Sequence, residues 1–474
     1  MSDKLKVAQR HLDTLSLRER ARGEGSQLGH KTMKKTFSVI ILSLVTLFTA
    51  TVAVANPKIQ HWTTTNGARV YFVPSPVLPM VDIHVVFDAG SARDGAQSGI
   101  AQMTNGLLDQ GAGKLNADQI AERLEGIGAQ FGTGSYRDMA IVSLRSLTDR
   151  SLLDPALDIM SQVIAEPSFP QDAFDRAQKR TLIALQGQKE SPSAIADKAF
   201  FAAVYGDHPY ATPSLGTEQS ITALTRKDAM AFHHRYYTGK NAVVALVGAI
   251  DRKEAERIAE QVVGKLPAGE AAPVLPAVKP LDAAKTEHIA YPSAQTHVLM
   301  GQPGITRDDP DYFPLYVGNY ILGGSGLVSR IAIDVREKRG LAYSAYSYFI
   351  PMHAAGPFIA GLQTRNEKAG KALSVLRDTL KDFIAKGPTE EELTAAKKNI
   401  TGGFALRLDS NAKIVQNLAS IGFYKLPLDY LDTFNNKVEA VTAEQIRSAF
   451  QRRVHPDDMV TVMVGGGETT TAKP

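Results

Sequence analysis

Residues 81–87 read Val-Asp-Ile-His-Val-Val-Phe, a partly alternating run rich in β-branched side chains, and predict a strand. Asn116 then precedes Ala117-Asp118-Gln119, with Ile120, Leu124 and Ile127 on one face, which predicts a capped amphipathic helix. The glycine-rich stretch 128–134 that follows predicts a poorly filled strand, suited to a sheet edge. Further on, Leu224-Thr225 opens a helix that leads to the apolar strand 242–248. The same sequence of events recurs near the end, where Val441-Thr442 opens a helix before the strand 459–465. Thr225 and Thr442 lie 217 residues apart, as do Gly248 and Gly465. Pro170 and Pro388 each precede a helix start, 218 residues apart. Matches at nearly one offset predict a duplicated α+β domain. The two copies span 56–265 and 287–470, joined by the Ala/Pro-rich, aperiodic segment 266–286.

Composition narrows the chemistry. The chain of 474 residues has no cysteine, which removes disulfides, thiolate metal sites and Cys nucleophiles. The formal charge of +4 arises in residues 1–55, with nine Lys/Arg against four Asp/Glu, leaving 44 basic and 45 acidic residues elsewhere. The body therefore lacks the basic excess that nucleic-acid binding calls for. Residues 33–55 have the layout of a secretion signal. Lys34-Lys35 precede an apolar run over 37–50, and Ala53-Val54-Ala55 forms a small-x-small cleavage site. The run is short for a membrane span, so cleavage after Ala55 and a periplasmic location are expected, with an uncleaved anchor as the alternative. No later segment is long and apolar enough to span.

Two motifs bring in a resemblance. Gly90-Ser91-Ala92-Arg93-Asp94 followed by Gly99-Ile100-Ala101 resembles the opening of the insulinase/pitrilysin-type peptidases. In that family the next helix carries H-x-x-E-H, whose two His share a zinc ion while the Glu activates water. A downstream Glu completes the ligand set. Here the aligned positions are Gln102, Met103, Thr104, Asn105 and Gly106, so both His and the Glu are replaced. The later Glu is expected near 180–186, yet 176–189 contains no acidic residue. Elsewhere His233-His234 are adjacent and point to different sides, and His208 before Pro209 suits a turn. This chain is expected to hold no metal of its own.

The second motif is intact. Gly323-Gly324-Ser325-Gly326 and then Arg336-Glu337-Lys338-Arg339-Gly340-Leu341-Ala342-Tyr343 resemble the family's C-terminal signature. The resemblance implies that Arg336 and Tyr343 bind the substrate backbone near the scissile bond, where a guanidinium and a phenol suit a peptide carbonyl or oxyanion. Gly323, Gly324 and Gly326 would bind substrate through a tight turn, and Gln130 and Phe131 lie on the strand to which the family adds substrate. The plainer readings are a solvated charged run at Arg336 and a core-packing role for Tyr343. The family fold is a clamshell of two α+β domains, mixed sheets with helices on one face. Some members work as two-subunit enzymes, so the resemblance implies a periplasmic peptidase subunit, inactive alone, that binds peptides and pairs with a zinc-bearing partner. A proteolytically inactive scaffold and a stand-alone peptide-binding protein are the alternatives; a serine hydrolase is disfavoured by the absence of G-x-S-x-G.

Overall fold

A computed structural model describes residues 58–467. The expected leader and its cleavage site lie outside the described residues. Two mixed sheets carry the fold. The first comprises β1 (Gln60–Thr63), β2 (Arg69–Pro74), β3 (Met80–Phe87), β6 (Gln130–Ser135), β7 (Ala140–Leu147) and β8 (Ala242–Gly248), in the order β1-β2-β8-β3-β7-β6. A short hairpin, β4 (Gly111–Ala112) with β5 (Leu115–Asn116), stands apart. The second sheet comprises β9 (Lys285–Ile289), β10 (Gln295–Pro303), β11 (Ala342–Phe349), β12 (Pro357–Arg365) and β13 (Val460–Val464), in the order β11-β12-β10-β13-β9. The duplication is visible in the register. Val243 of β8 faces Arg69 in a parallel pair, and Val460 of β13, 217 residues later, faces Lys285 in the other. From the parallel pair outward, β2-β8-β3-β7-β6 and β9-β13-β10-β12-β11 correspond strand for strand.

Helices of the first half are α1 (Ile100–Asn105), α2 (Ala117–Gly126), α3 (Arg150–Ala165), α4 (Gln171–Lys189), α5 (Pro192–Tyr205), α6 (Glu218–Ala223), α7 (Arg226–Tyr236) and α8 (Arg252–Val263). The principal helices of the second are α9 (Tyr312–Asn319), α10 (Ala369–Lys386), α11 (Glu390–Gly402), α12 (Asn411–Phe423), α13 (Tyr430–Glu439) and α14 (Ala443–Arg453). The polar start signals work as expected. Asn116 and Gln119 form a capping box on α2, and Thr225 and Thr442 form equivalent boxes on α7 and α14. Each such cap contributes about 1 kcal/mol by satisfying N–H groups that the helix leaves unpaired. Pro170 and Thr389 stand immediately before α4 and α11. Between α8 and β9 the chain forms neither helix nor strand, where the Ala/Pro-rich segment lies.

Both faces of each sheet are covered, and the second cover comes from the opposite half. Helix α12 packs on β2, β3 and β8 of the first sheet, while α5 packs on β10 and β13 of the second. This exchange explains why β8 and β13 are buried at every position and read as continuous apolar runs. Along β8, Val244 and Leu246 face the core of the first half, whereas Val243, Ala245 and Val247 join the core of the second. Gly422 makes the close approach possible, since a Cβ there would sit 2.6 Å from Cγ1 of Val243. Phe200, Phe201 and Tyr205 of α5 pack with Val460, Val462 and Val464 of β13. Each buried aromatic contributes about 2 kcal/mol to holding the halves together. Among the described residues no helix is long and apolar enough to cross a membrane.

A buried histidine, His233, and a half-buried one, His84, couple this fold to pH. His233 donates through Nε2 to the Ile164 carbonyl at 2.8 Å, and its neighbour His234 is exposed on the other side of α7. Burial lowers the pKa of His233, and that of His84 on β3, to about 4. Their folded-state pKa values lie below the unfolded value near 6.5, so the stability they contribute is present above that pH and is lost as pH falls toward 4. One such group is worth about 3 kcal/mol across that window. The urea midpoint is expected to fall between pH 7 and pH 4.5, and His233→Gln, which keeps a donor for Ile164, is expected to fall less. Equal slopes in both proteins would contradict this account.

Candidate functional site

The degenerate motif lies on α1 and the residue that follows it. Asp94 fixes the start of this helix, its buried carboxylate accepting the N–H groups of Gly99 at 2.6 Å and Ala101 at 3.0 Å. Burial raises its pKa to about 7. Gln102 and Gly106 are exposed and line a cavity of about 260 Å³. Across it stands α4, the acid-free helix, which contributes Arg180, Thr181 and Ala184. Asn105 turns inward, donating to the hydroxyl of buried Tyr237 at 3.2 Å. The family's zinc does not fit these residues. The lining holds no imidazole, thiolate or carboxylate, and it includes a guanidinium. Among the described residues no cluster of three or more His, Cys, Asp or Glu is placed to hold a metal. His208 caps the turn Pro209–Ala211, its Nδ1 accepting the Tyr210 N–H.

The intact motif lies in the second half. Arg336, near the end of the helical segment 330–337, places its guanidinium 4.7 Å from the ring centroid of Tyr343. Its Nη1 donates to the Tyr343 carbonyl at 3.3 Å, and its Nε lies 3.3 Å from Glu337. Gly340, at φ +56°, makes the turn from helix to strand. Tyr343 itself sits at a bulge in β11, where Ala342 pairs with Thr364 and Ser344 pairs with Gln363. Bulges re-aim side chains, and this one leaves the Tyr343 ring 81% exposed. The core-packing alternative for Tyr343 is thereby ruled out.

The glycine-rich turn divides into an inner and an outer part. Gly323 is buried, and a Cβ there would stand 2.3 Å from the Ser347 nitrogen, so its bare Cα packs the turn against β11. Gly324 and Gly326 lie on the exposed side, Gly326 at φ +65°. In the first half, β6 is indeed an edge strand, and it occupies the position that β11 holds in the second sheet. Gly132, Thr133 and Gly134 line a cavity of about 780 Å³, closed on its far side by Pro351, Gln416 and Tyr424 of the second half. Gln130 is exposed and Phe131 half-buried, and both lie outside that lining. The remnant cavity and the Arg336/Tyr343 pair belong to different halves and share no cavity lining.

Sequence reasoning missed the joint beside β6. Asp138, 3% exposed in the β6–β7 turn, accepts from the Tyr210 hydroxyl at 2.6 Å, the His353 N–H at 2.8 Å and the Tyr424 hydroxyl at 3.3 Å. The Tyr210 hydroxyl in turn accepts the Ala354 N–H at 3.0 Å. Arg137 donates to the carbonyls of Tyr210 and Thr212 and stacks over Phe201 at 4.0 Å. The partners lie up to 286 positions apart along the chain, and nothing local marks them.

Known proteins agree with this geometry. Residues 69–218 match the model for insulinase (peptidase family M16), and 223–400 match the model for the peptidase M16 inactive domain. The crystal structure of a peptidase M16 inactive domain from Pseudomonas fluorescens superposes with a TM-score of 0.84 at 41% identity, covering 88% of this chain and all of that one. An uncharacterized zinc protease of Bacillus subtilis is 25% identical over 86% of this chain and 98% of its own length. A non-peptidase homolog of Helicobacter pylori is 25% identical over 83% and 91%. Matched along both halves, and sharing 41% identity with a solved M16 structure, the chain belongs to the insulinase (M16) peptidase family and carries both its N-terminal and its C-terminal domain.

Proposed function

We infer that this chain is the non-zinc, substrate-binding subunit of a two-subunit insulinase-type peptidase, working in the periplasm after removal of its signal peptide. One observation carries the reading. Arg336 and Tyr343 are held side by side with the Tyr343 ring turned to solvent, while the cavity on α1 has lost every metal ligand and faces Arg180. A solvent-facing phenol and guanidinium suit donation to a peptide carbonyl. The residues lining the α1 cavity suit no metal-assisted attack of their own, so the chain alone is inactive. The edge strand β6 can add a peptide as a further strand, holding it by main-chain hydrogen bonds. Gly324 and Gly326 shape the turn beside β11.

The test is co-purification. Tagged chain, recovered from the native periplasm, is expected to bring down a relative carrying His-x-x-Glu-His in equal amount, and the pair to cleave peptides. Recovery of the chain alone would transfer the weight to a stand-alone peptide binder or a scaffold. The P. fluorescens protein is described as an inactive domain and the H. pylori relative as a non-peptidase homolog, which supports inactivity of such chains by themselves.

A further inference from the structure

A third pocket, separate from Arg336 and Tyr343, lies under the glycine-rich turn. It has a volume of about 310 Å³, and its walls come from α9, from the turn and from the end of β11. Leu315 and Phe349 supply apolar surface. Tyr312 and Tyr316 stack with ring centroids 5.9 Å apart at 7°, and Tyr312 is pinned from behind by Arg307 at 4.1 Å. The floor is equally fixed, since Asn319 donates to the Ser347 carbonyl at 2.9 Å and accepts the Ser347 hydroxyl at 2.7 Å. Gly324 keeps the space open, as a Cβ there would stand 3.1 Å from Nδ2 of Asn319. Tyr348, 48% exposed, lines the pocket from β11.

One charged side chain lines this pocket. Arg407 is exposed and places its guanidinium 5.9 Å from the Tyr316 ring centroid. Among the described residues no carboxylate pairs with it, and no acidic residue lines the pocket. An unmatched guanidinium beside rigid aromatic walls selects a ligand that carries an apolar group and an anion a few ångströms apart. Inside a peptide the backbone offers only neutral amides, and an anion at that spacing requires an Asp or Glu side chain beside the apolar one. The last residue of a peptide offers both groups together, as side chain and α-carboxylate. We propose that this pocket captures the C-terminal residue of a peptide, with an aromatic or large apolar side chain against Tyr316 and Tyr348 and the free carboxylate on Arg407.

Given the peptide-binding reading above, the placement on β11 gives the pocket a use. Tyr348 lies five positions beyond Tyr343 on the same edge strand, roughly 16 Å at the rise of an extended chain. A peptide anchored by its C-terminus would thus present a bond some five residues from its end to Arg336 and Tyr343. The chain would measure substrates from their tails.

The pocket can be tested apart from any peptidase activity. The probe is N-acetylphenylalanine, as free acid and as its C-terminal amide, titrated against the full chain and followed by ligand-detected NMR. The acid is expected to bind at least about tenfold more tightly than the amide, the usual worth of a hydrogen bond to a charged group. Arg407→Gln, an exposed substitution, is expected to bring the acid down to the level of the amide, and Arg407→Lys to restore part of the difference. Equal binding of acid and amide, or a preference that survives Arg407→Gln, would overturn the proposal. Failure of the two-subunit reading would leave these titrations unchanged, and Tyr343→Phe is expected to leave them unchanged as well.

Discussion

Tyr343→Phe and Arg336→Ala are each expected to lower the kcat of the assembled peptidase by about 10²–10³, the usual cost of losing one preorganised donor to a developing oxyanion. The argument rests on where the two groups are. The Tyr343 ring is 81% exposed, so its hydroxyl supports nothing in the fold, and its removal is expected to leave thermal stability within about 0.5 kcal/mol. Arg336 touches Tyr343 and its sequence neighbour Glu337, and no buried carboxylate depends on it. A loss of rate without loss of stability or of assembly would therefore report on chemistry. The split between constants is informative too. Interactions made only as the carbonyl becomes tetrahedral lower kcat and kcat/KM together, whereas ground-state binding raises KM alone. Unchanged hydrolysis in both variants would remove Arg336 and Tyr343 from the site and favour a scaffold.

The second large effect is structural. Asp138→Ala is expected to destabilise the chain by about 3–5 kcal/mol, because it strips the acceptor from two tyrosine hydroxyls and one backbone N–H inside the protein. For a chain of this size that corresponds to a fall in Tm of about 4–6 °C. Tyr210→Phe removes the 2.6 Å bond to Asp138 and the acceptor for Ala354, and is expected to cost less than the loss of the carboxylate. The joint ties the β6–β7 turn of the first half to residues 353 and 354 and to the end of α12 in the second, so limited proteolysis between the halves is expected to accelerate in both variants. An Asp138→Ala protein as stable as the parent would show that the exchanged helices alone hold the halves together. Surface pairs give the contrast. The exposed Arg176–Asp172 pair on α4 is expected to contribute well under 1 kcal/mol.

Much of the fold was legible in the chain because it is written locally. The capping boxes at Asn116, Thr225 and Thr442 satisfy N–H groups within one helical turn, so the residues that start a helix are close in sequence to the groups they serve. The duplication was legible because both copies keep the same order of caps and apolar strands at one offset. The glycine-rich run 128–134 announced an edge because a strand without side chains cannot fill a two-sided core. The loss of the zinc ligands was legible as well, since a helix presents its positions 102 and 106 on one face whatever surrounds it.

The remaining features needed the tertiary structure, for one physical reason: they join residues that share no local pattern. That α5 and α12 cross to the opposite sheet follows from which apolar faces are left uncovered once each half has folded. Periodicity marks a face as apolar without naming its partner. Burial of Gly323 against Ser347 depends on how a turn meets a strand two elements later, so a glycine expected to face substrate packs the interior instead. Arg180 reaches the remnant cavity only because α4 lies against α1. The sequence by itself determined the family, the repeated α+β plan, the missing metal ligands and the surviving Arg336 and Tyr343. Long-range packing alone decided that Tyr343 stands exposed on a bulge, that Asp138 ties the halves together, and that Arg407 lines an aromatic pocket without a carboxylate to pair with.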